Sequence, residues 1–227
     1  MIFIVSIAGH PKENPMTGRQ RLQEYLKIER VNRIYTRAEK AFREKRLIGH
    51  GWDHVFRDII NAVAIGEEEG ANMDIVMPAV ILHDIGFLYD PDPSRHPQVG
   101  AERCGDWLSE WSAEERQQIA NCIRVHKGKM REFTLEPETL EERVVCDADM
   151  LEKAGWLGVL QAVRVFSEFA AAGKPEFYDL YNVAAVISSV KSVKFYTATG
   201  KRLAAERGDY MRAEVSEKVL RELEFYR

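Results

Sequence analysis

The chain has 227 residues, 45% of them hydrophobic and 30% charged, which supplies a substantial core and excludes a disordered chain. Its 32 Lys and Arg against 36 Asp and Glu leave a formal charge of −4, with no basic stripe for a nucleic-acid polymer, so an anionic ligand should be small and locally held. Neither a membrane span of ~20 apolar residues nor a disulfide framework is present, since Cys104, Cys122 and Cys146 are scattered; buried thiols in a reducing cytoplasm are the expectation.

Residues 1–18 are expected to form a tail. Met1–Ala8 is apolar but lacks the basic stretch of a targeting segment, and the following residues hold Pro11 and Pro15. One helical domain should occupy 19–227, with a motif core at 48–165 and C-terminal helices 156–227 packed on it. Arg19–Arg46 reads as a helix, with Leu22, Leu26, Val31, Ile34, Ala38 and Phe42 broadly at three- and four-residue steps. A second helix should run from about Asp53 to Glu69. Ile75–Leu88 is apolar except for His83 and Asp84, so it should lie at the centre of the domain, with Pro78 in its first turn. Tyr89–Pro97 carries three prolines and no helical pattern. Helices are expected again at 98–110, 113–127, 138–154 and 156–172, then a break at Gly173–Pro175 and two more helices. Little strand signal follows residue 10, so the fold class is all-α, a single compact multi-helix bundle.

Chemistry concentrates in a few polar residues within these apolar runs. His83 and Asp84 are adjacent in Leu82-His83-Asp84-Ile85-Gly86, and burying them is costly unless each has a partner. A divalent cation would satisfy both; an ordinary His–Asp hydrogen bond would do so too. His54 lies on the preceding predicted helix, His96 at a loop-to-helix transition and His126 at a helix end. Asp147 and Asp149 pose a second buried-acid problem in Val144–Leu151.

The order His54, His83-Asp84, Asp149 resembles the H…HD…D signature of the HD-domain metal-dependent phosphohydrolases, most closely the small stand-alone members. The matching text extends to Gly49-His50-Gly51-Trp52-Asp53-His54, to His96-Pro97-x-x-Gly100-Ala101 and to Asp147-Ala148-Asp149-Met150-Leu151. The resemblance implies an HD-domain-like bundle that hydrolyses a small phosphoester, a nucleotide above all, by attack of metal-bound water. It implies His54, His83, Asp84 and Asp149 as metal ligands. Asp149 is preferred to Asp147 because the family's last ligand stands in an Ala-Asp-x-Leu context. Some family members hold a second metal through histidines matching His96 and His126. They usually carry a His-His pair where this chain has His126-Lys127, so a second ion, or phosphate contacts from these histidines, stays open.

An imidazole and carboxylate set without thiolate suits Mn, Fe, Co, Ni or Zn, with one ion expected and two admitted. Asp84 is expected to take or steer the proton of the attacking water. Arg57 and Lys153, at helical spacing from His54 and Asp149, are candidate phosphate contacts, as is Lys127. Asp58, four residues after His54, should either orient that histidine or face water. Tyr89, Trp107, Trp111 and Trp156 are candidates to stack on a base, although aromatics at helical spacing usually belong to a core. A diiron oxygenase and a nucleotide-binding module without turnover are the alternative readings, and a homodimer is compatible with a helical enzyme of this size.

Overall fold

The computed structural model describes residues 16–90, 92, 94–128, 135–189, 194–208 and 211–226, and every regular element among them is helical. The tail expected before residue 16 lies outside the described residues, as do Pro91 and Pro93.

The segment expected as one helix at 19–46 is two, α1 (Gly18–Tyr25) and α2 (Glu29–Lys45). Tight turn bonds, Lys27 N to Glu24 O and Ile28 N to Tyr25 O, bend the chain between them. The bend lets α1 pack on α3 (Trp52–Glu69) while α2 packs on α4 (Met73–Leu82), which one straight helix could not do. The start of α1 is closed reciprocally, Gln20 N donating to the Thr17 hydroxyl and Thr17 N to the Gln20 side chain. Gly70, at φ 72°, ends α3 in the left-handed region, where a side chain would be strained.

The central position expected for the Ile75–Leu88 segment holds, for Ile75 through Leu82 are all buried. Two details differ. Pro78 sits inside α4 rather than in its first turn, so the helical donor to the Asp74 carbonyl is missing, a cost that apolar burial on all sides must offset. The helix also stops at Leu82, and His83–Ile85 form a turn leading into α5 (Gly86–Tyr89).

After it come α6 (His96–Arg103), α7 (Ala113–Val125) and α8 (Leu140–Met150), the last running into a single 3-10 turn at Leu151–Lys153. The helices α9 (Gly155–Ala171), α10 (Leu180–Ser189), α11 (Ala198–Glu206) and α12 (Met211–Leu223) complete the chain, three of them beyond Pro175 where two were expected. The main core lies among α3, α4, α7 and α8. A smaller cluster, Ala162, Val183 and Ile187 with Phe166 and Phe177 against them, forms separately between α9 and α10. Among the described residues no helix is long and apolar enough to cross a membrane.

Candidate metal centre

Five of the polar residues singled out in the sequence come from two helices and one turn and meet in the interior. His54 is on α3, His83 and Asp84 follow α4, and Asp149 is near the end of α8; Asp58, one turn after His54, joins them. All are at most 8% exposed. Asp84 Oδ2 lies 3.3 Å from His54 Nε2 and 3.5 Å from His83 Nε2. Asp149 Oδ1 lies 3.6 Å from His54 Nε2, and Asp58 Oδ2 lies 3.2 Å from His54 Nε2 and 3.3 Å from His83 Nε2.

The other oxygen of Asp84 faces a second group. Oδ1 is 3.2 Å from His96 Nε2 and 3.6 Å from His126 Nε2, and those two nitrogens are 3.2 Å apart. Gly86 makes this possible, because α5 runs so close to α6 that a Cβ on it would collide with the His96 carbonyl.

Donor chemistry fits a cation. His83 Nδ1 donates to Val80 O at 2.8 Å and His126 Nδ1 to Ile123 O at 2.6 Å, so in each neutral ring the lone pair is on Nε2, the atom facing the cluster. Among the described residues, seven buried side-chain polar atoms lack a hydrogen-bond partner, and all but Trp111 Nε1 belong to this cluster: His54 Nδ1, both oxygens of Asp58, His83 Nε2, Asp84 Oδ2 and Glu152 Oε1. Such atoms normally find partners, and a divalent ion would supply one to several at once.

Electrostatics tell the same story. Burial lowers the His54 and His83 pKa values, but the carboxylates outweigh it: Asp58 and Asp84 raise His54, and Asp84 lifts His83 to about 9. Burial together with Glu152 and Asp149 pushes Asp58 well above the usual carboxylate range, despite His54 and His83. Asp84 is held well below that range by His83 and the histidines around it, against the effect of burial. Burial and the charge of Lys127 keep His96 neutral.

The structure separates the two aspartates of α8. Asp147 turns away from the cluster and accepts N–H bonds from Tyr196 at 2.9 Å and Thr197 at 2.8 Å, and the Thr197 hydroxyl at 2.7 Å. Among the cations, Lys153 Nζ is 3.0 Å from Asp149 Oδ2, and both Lys153 and Lys127 line a cavity beside the cluster. Arg57 is otherwise engaged, with Glu152 at 2.6 Å and with Asp53 and Gln161 at 3.1 Å.

Sequence reasoning missed two residues here, Glu152 and Glu168, and left the position of Asp58 open. Asp58 is fully buried inside the cluster rather than facing water, and Glu152 Oε2 stands 3.6 Å from His54 Nδ1. Glu168 holds His50 Nδ1 at 2.5 Å and also accepts Gly49 N at 2.9 Å. The helical spacing of Asp58 from His54 was a usable signal; the 118-residue separation of His50 and Glu168 left none. Trp107 and Trp111 are core residues, with Trp107 Nε1 bonded to the Tyr89 hydroxyl, and Trp156 is 66% exposed.

Residues 51–154 match the family model of the HD domain. The chain superposes on a predicted HD superfamily hydrolase from an uncultured Thermotogales bacterium, with a TM-score of 0.60 and 23% identity over 91% of this chain and 99% of that one. The chain therefore carries a segment that matches the HD domain, within an all-α fold that it shares with that structure. Among relatives, 170 residues are 29% identical to the Bacillus subtilis protein YpgQ, covering 72% of this chain and 80% of YpgQ. The crystal structure of YpgQ in complex with ADP has a TM-score of 0.54, at 24% identity over 84% of this chain and 93% of that chain.

Proposed function

We propose that the protein is a divalent-metal-dependent phosphohydrolase that acts on a small phosphoester, a nucleotide above all, by attack of water on phosphorus. One observation carries the reading: six buried polar atoms without partners converge where His54, His83, Asp84 and Asp149 meet. The HD domain supports hydrolysis, and the ADP complex of the similar YpgQ supports a nucleotide.

His54, His83, Asp84 and Asp149 would hold the ion, with Asp58 added to the set expected from the sequence. Mn, Fe, Co, Ni and Zn all suit these donors. A bound divalent ion supplies Lewis-acid activation of water and of a phosphoryl oxygen. Asp84 stands between both histidine groups and can take the proton that the attacking water loses. Lys153 and Lys127, on the cavity wall, offset charge on the phosphoryl oxygens. Arg57 braces Glu152 instead of facing the cavity. His96 and His126, with Asp84, would hold either a second ion or a phosphate oxygen. The three buried free cysteines suit a reducing cytoplasm.

A panel of nucleotides and small phosphoesters, assayed with each metal and resolved by chromatography, tests the reading. Metal-dependent turnover that falls at least about a thousandfold in Asp84→Ala is expected. The second histidine group keeps a diiron oxygenase as an alternative, and that reading gains if iron-loaded protein gives a mixed-valent signal and no phosphoester is turned over.

A further inference from the structure

The cavity beside the metal centre encloses about 530 Å³, within the range of small-molecule sites. One end holds His54, Asp149, Glu152, Lys127 and Lys153. The other is lined by Ala162, Val165, Phe166, Phe169, Phe177 and Ile187, from α9, α10 and the 3-10 turn Pro175–Tyr178 between them. His50 joins the two ends, its ring centroid 5.8 Å from His54 and 6.1 Å from Phe169.

The apolar end does not belong to the main core. It is the wall of the separate small cluster, and it follows the 51–154 segment that carries the HD domain. Its three phenylalanines form a compact set, with Phe166 4.9 Å from Phe177 and 6.0 Å from Phe169, and Phe169 6.3 Å from Phe177. All three stay partly exposed while lining the cavity, so aromatic area is left for a ligand to cover. Lys174 Nζ stands 5.2 Å over the Phe169 ring, adding a positive charge beside this wall.

A phosphoester bound at the metal would project its organic part along this wall. None of these six side chains offers a hydrogen-bond donor or acceptor; of the polar residues that line the cavity from the same elements, Gln161 is taken up by Gly49 O and Arg57, and Glu176 is exposed. Such a surface gains by excluding water from a planar ring and by stacking on its face, and the face is common to all bases, whereas their edges differ. We propose that this end is a nucleobase subsite that binds the ring without reading its edge, so that the protein accepts nucleoside phosphates with little regard to the base. The proposal rests on the phosphohydrolase reading for the position of the phosphate. It assigns the chemistry to the HD segment and the choice of substrate to the helices that follow.

The test is calorimetric titration of the Mn²⁺-loaded protein with the α,β-methylene diphosphates of adenosine, guanosine, cytidine and uridine, with methylenediphosphonate as a ring-free probe. The four dissociation constants are expected within about threefold of one another. Phe177→Ala and Phe166→Ala should each weaken all four about tenfold and leave methylenediphosphonate within about twofold. Phe177→Leu, which keeps apolar volume without a ring, controls for folding together with a melting curve for each variant. A preference above about thirtyfold for one base overturns the proposal. So does an equal loss for the ring-free probe, or no loss in either alanine variant. Base-indifferent, phenylalanine-dependent binding without turnover of the natural nucleotides supports the subsite and counts against the hydrolase reading instead.

Discussion

Asp58 Oδ2 stands 3.3 Å from His83 Nε2, and neither atom has a hydrogen-bond partner. Asp58 comes from α3 and His83 from the turn after α4, and the Asp58 side chain is fully buried. A carboxylate in that position destabilises the protein unless a cation or a proton compensates it. A cluster that held an ion here would therefore lose stability without it and gain affinity for it.

Asp58→Val makes that trade measurable. The metal-free variant should be more stable than the native protein by about 1–3 kcal/mol, because buried unsatisfied acceptors are removed. Its metal affinity should fall at least about tenfold. Denaturant unfolding with and without chelator, beside metal analysis, reads both quantities. A variant less stable in both conditions would show that Asp58 serves packing alone.

Two histidine groups meet at Asp84, and their occupancies can be separated. Tight binding of one ion should be lost in His54→Ala and survive in His126→Ala. Elemental analysis after gel filtration counts the ions. Loss of the tight ion in both variants would mean that the two groups form one site.

Asp147 predicts a structural phenotype with the metal centre intact. It takes three hydrogen bonds from Tyr196 and Thr197 and so ties the start of α11 to α8. Asp147→Ala should cost about 3 kcal/mol of stability, since buried donors lose their acceptor, with metal stoichiometry unchanged. Gly200→Ala should act in the same direction, because its Cβ would strike the Asp147 carboxylate. Loss of the bound ion in Asp147→Ala would instead place Asp147 at the metal.

Acid should weaken the contact between His50 and Glu168. Burial lowers the His50 pKa, and the Glu168 pKa is lowered by His50 and by backbone N–H bonds in spite of burial. Both folded values thus lie below the unfolded ones, so the stability they contribute is complete above about pH 6.5 and declines as pH falls. The Glu168 part declines only below about pH 4.3. The stability gap between the native protein and His50→Gln/Glu168→Gln should therefore narrow from pH 7.5 to pH 4, followed by denaturant titrations. A gap that widens toward acid would reverse the assigned directions.

Helix content was legible wherever one apolar face repeated at helical spacing, as in α2 and α3. It was less legible at Leu26–Ile28, where a five-residue step from Leu26 to Val31 was read through as helix and the chain turns so that α1 packs on α3 and α2 on α4. The position of Pro78 and the early end of α4 were misread because hydropathy alone does not mark where an all-apolar helix begins or stops. Of the aromatic residues, Trp107, Trp111 and Trp156 drew notice by size, while Phe166, Phe169 and Phe177 meet only because α9 and the turn after it fold back on each other.

The sequence by itself determined the all-α class and the places where burial and polarity conflict, His83-Asp84 and the pair Asp147 and Asp149, whereas the set His54, His83, Asp84 and Asp149 was what the resemblance to the HD-domain phosphohydrolases implied. The class and the conflicts follow from local rules, helical period and the cost of an unpaired buried group, which need no knowledge of what lies across the core. Tertiary structure alone decided that Asp58 enters the cluster and Asp147 leaves it, that Asp84 divides its oxygens between two pairs of histidines, and that Glu168 holds His50. Each of these depends on which helix faces join, and side chains far apart in sequence carry no mark of their partners until the core has closed around them.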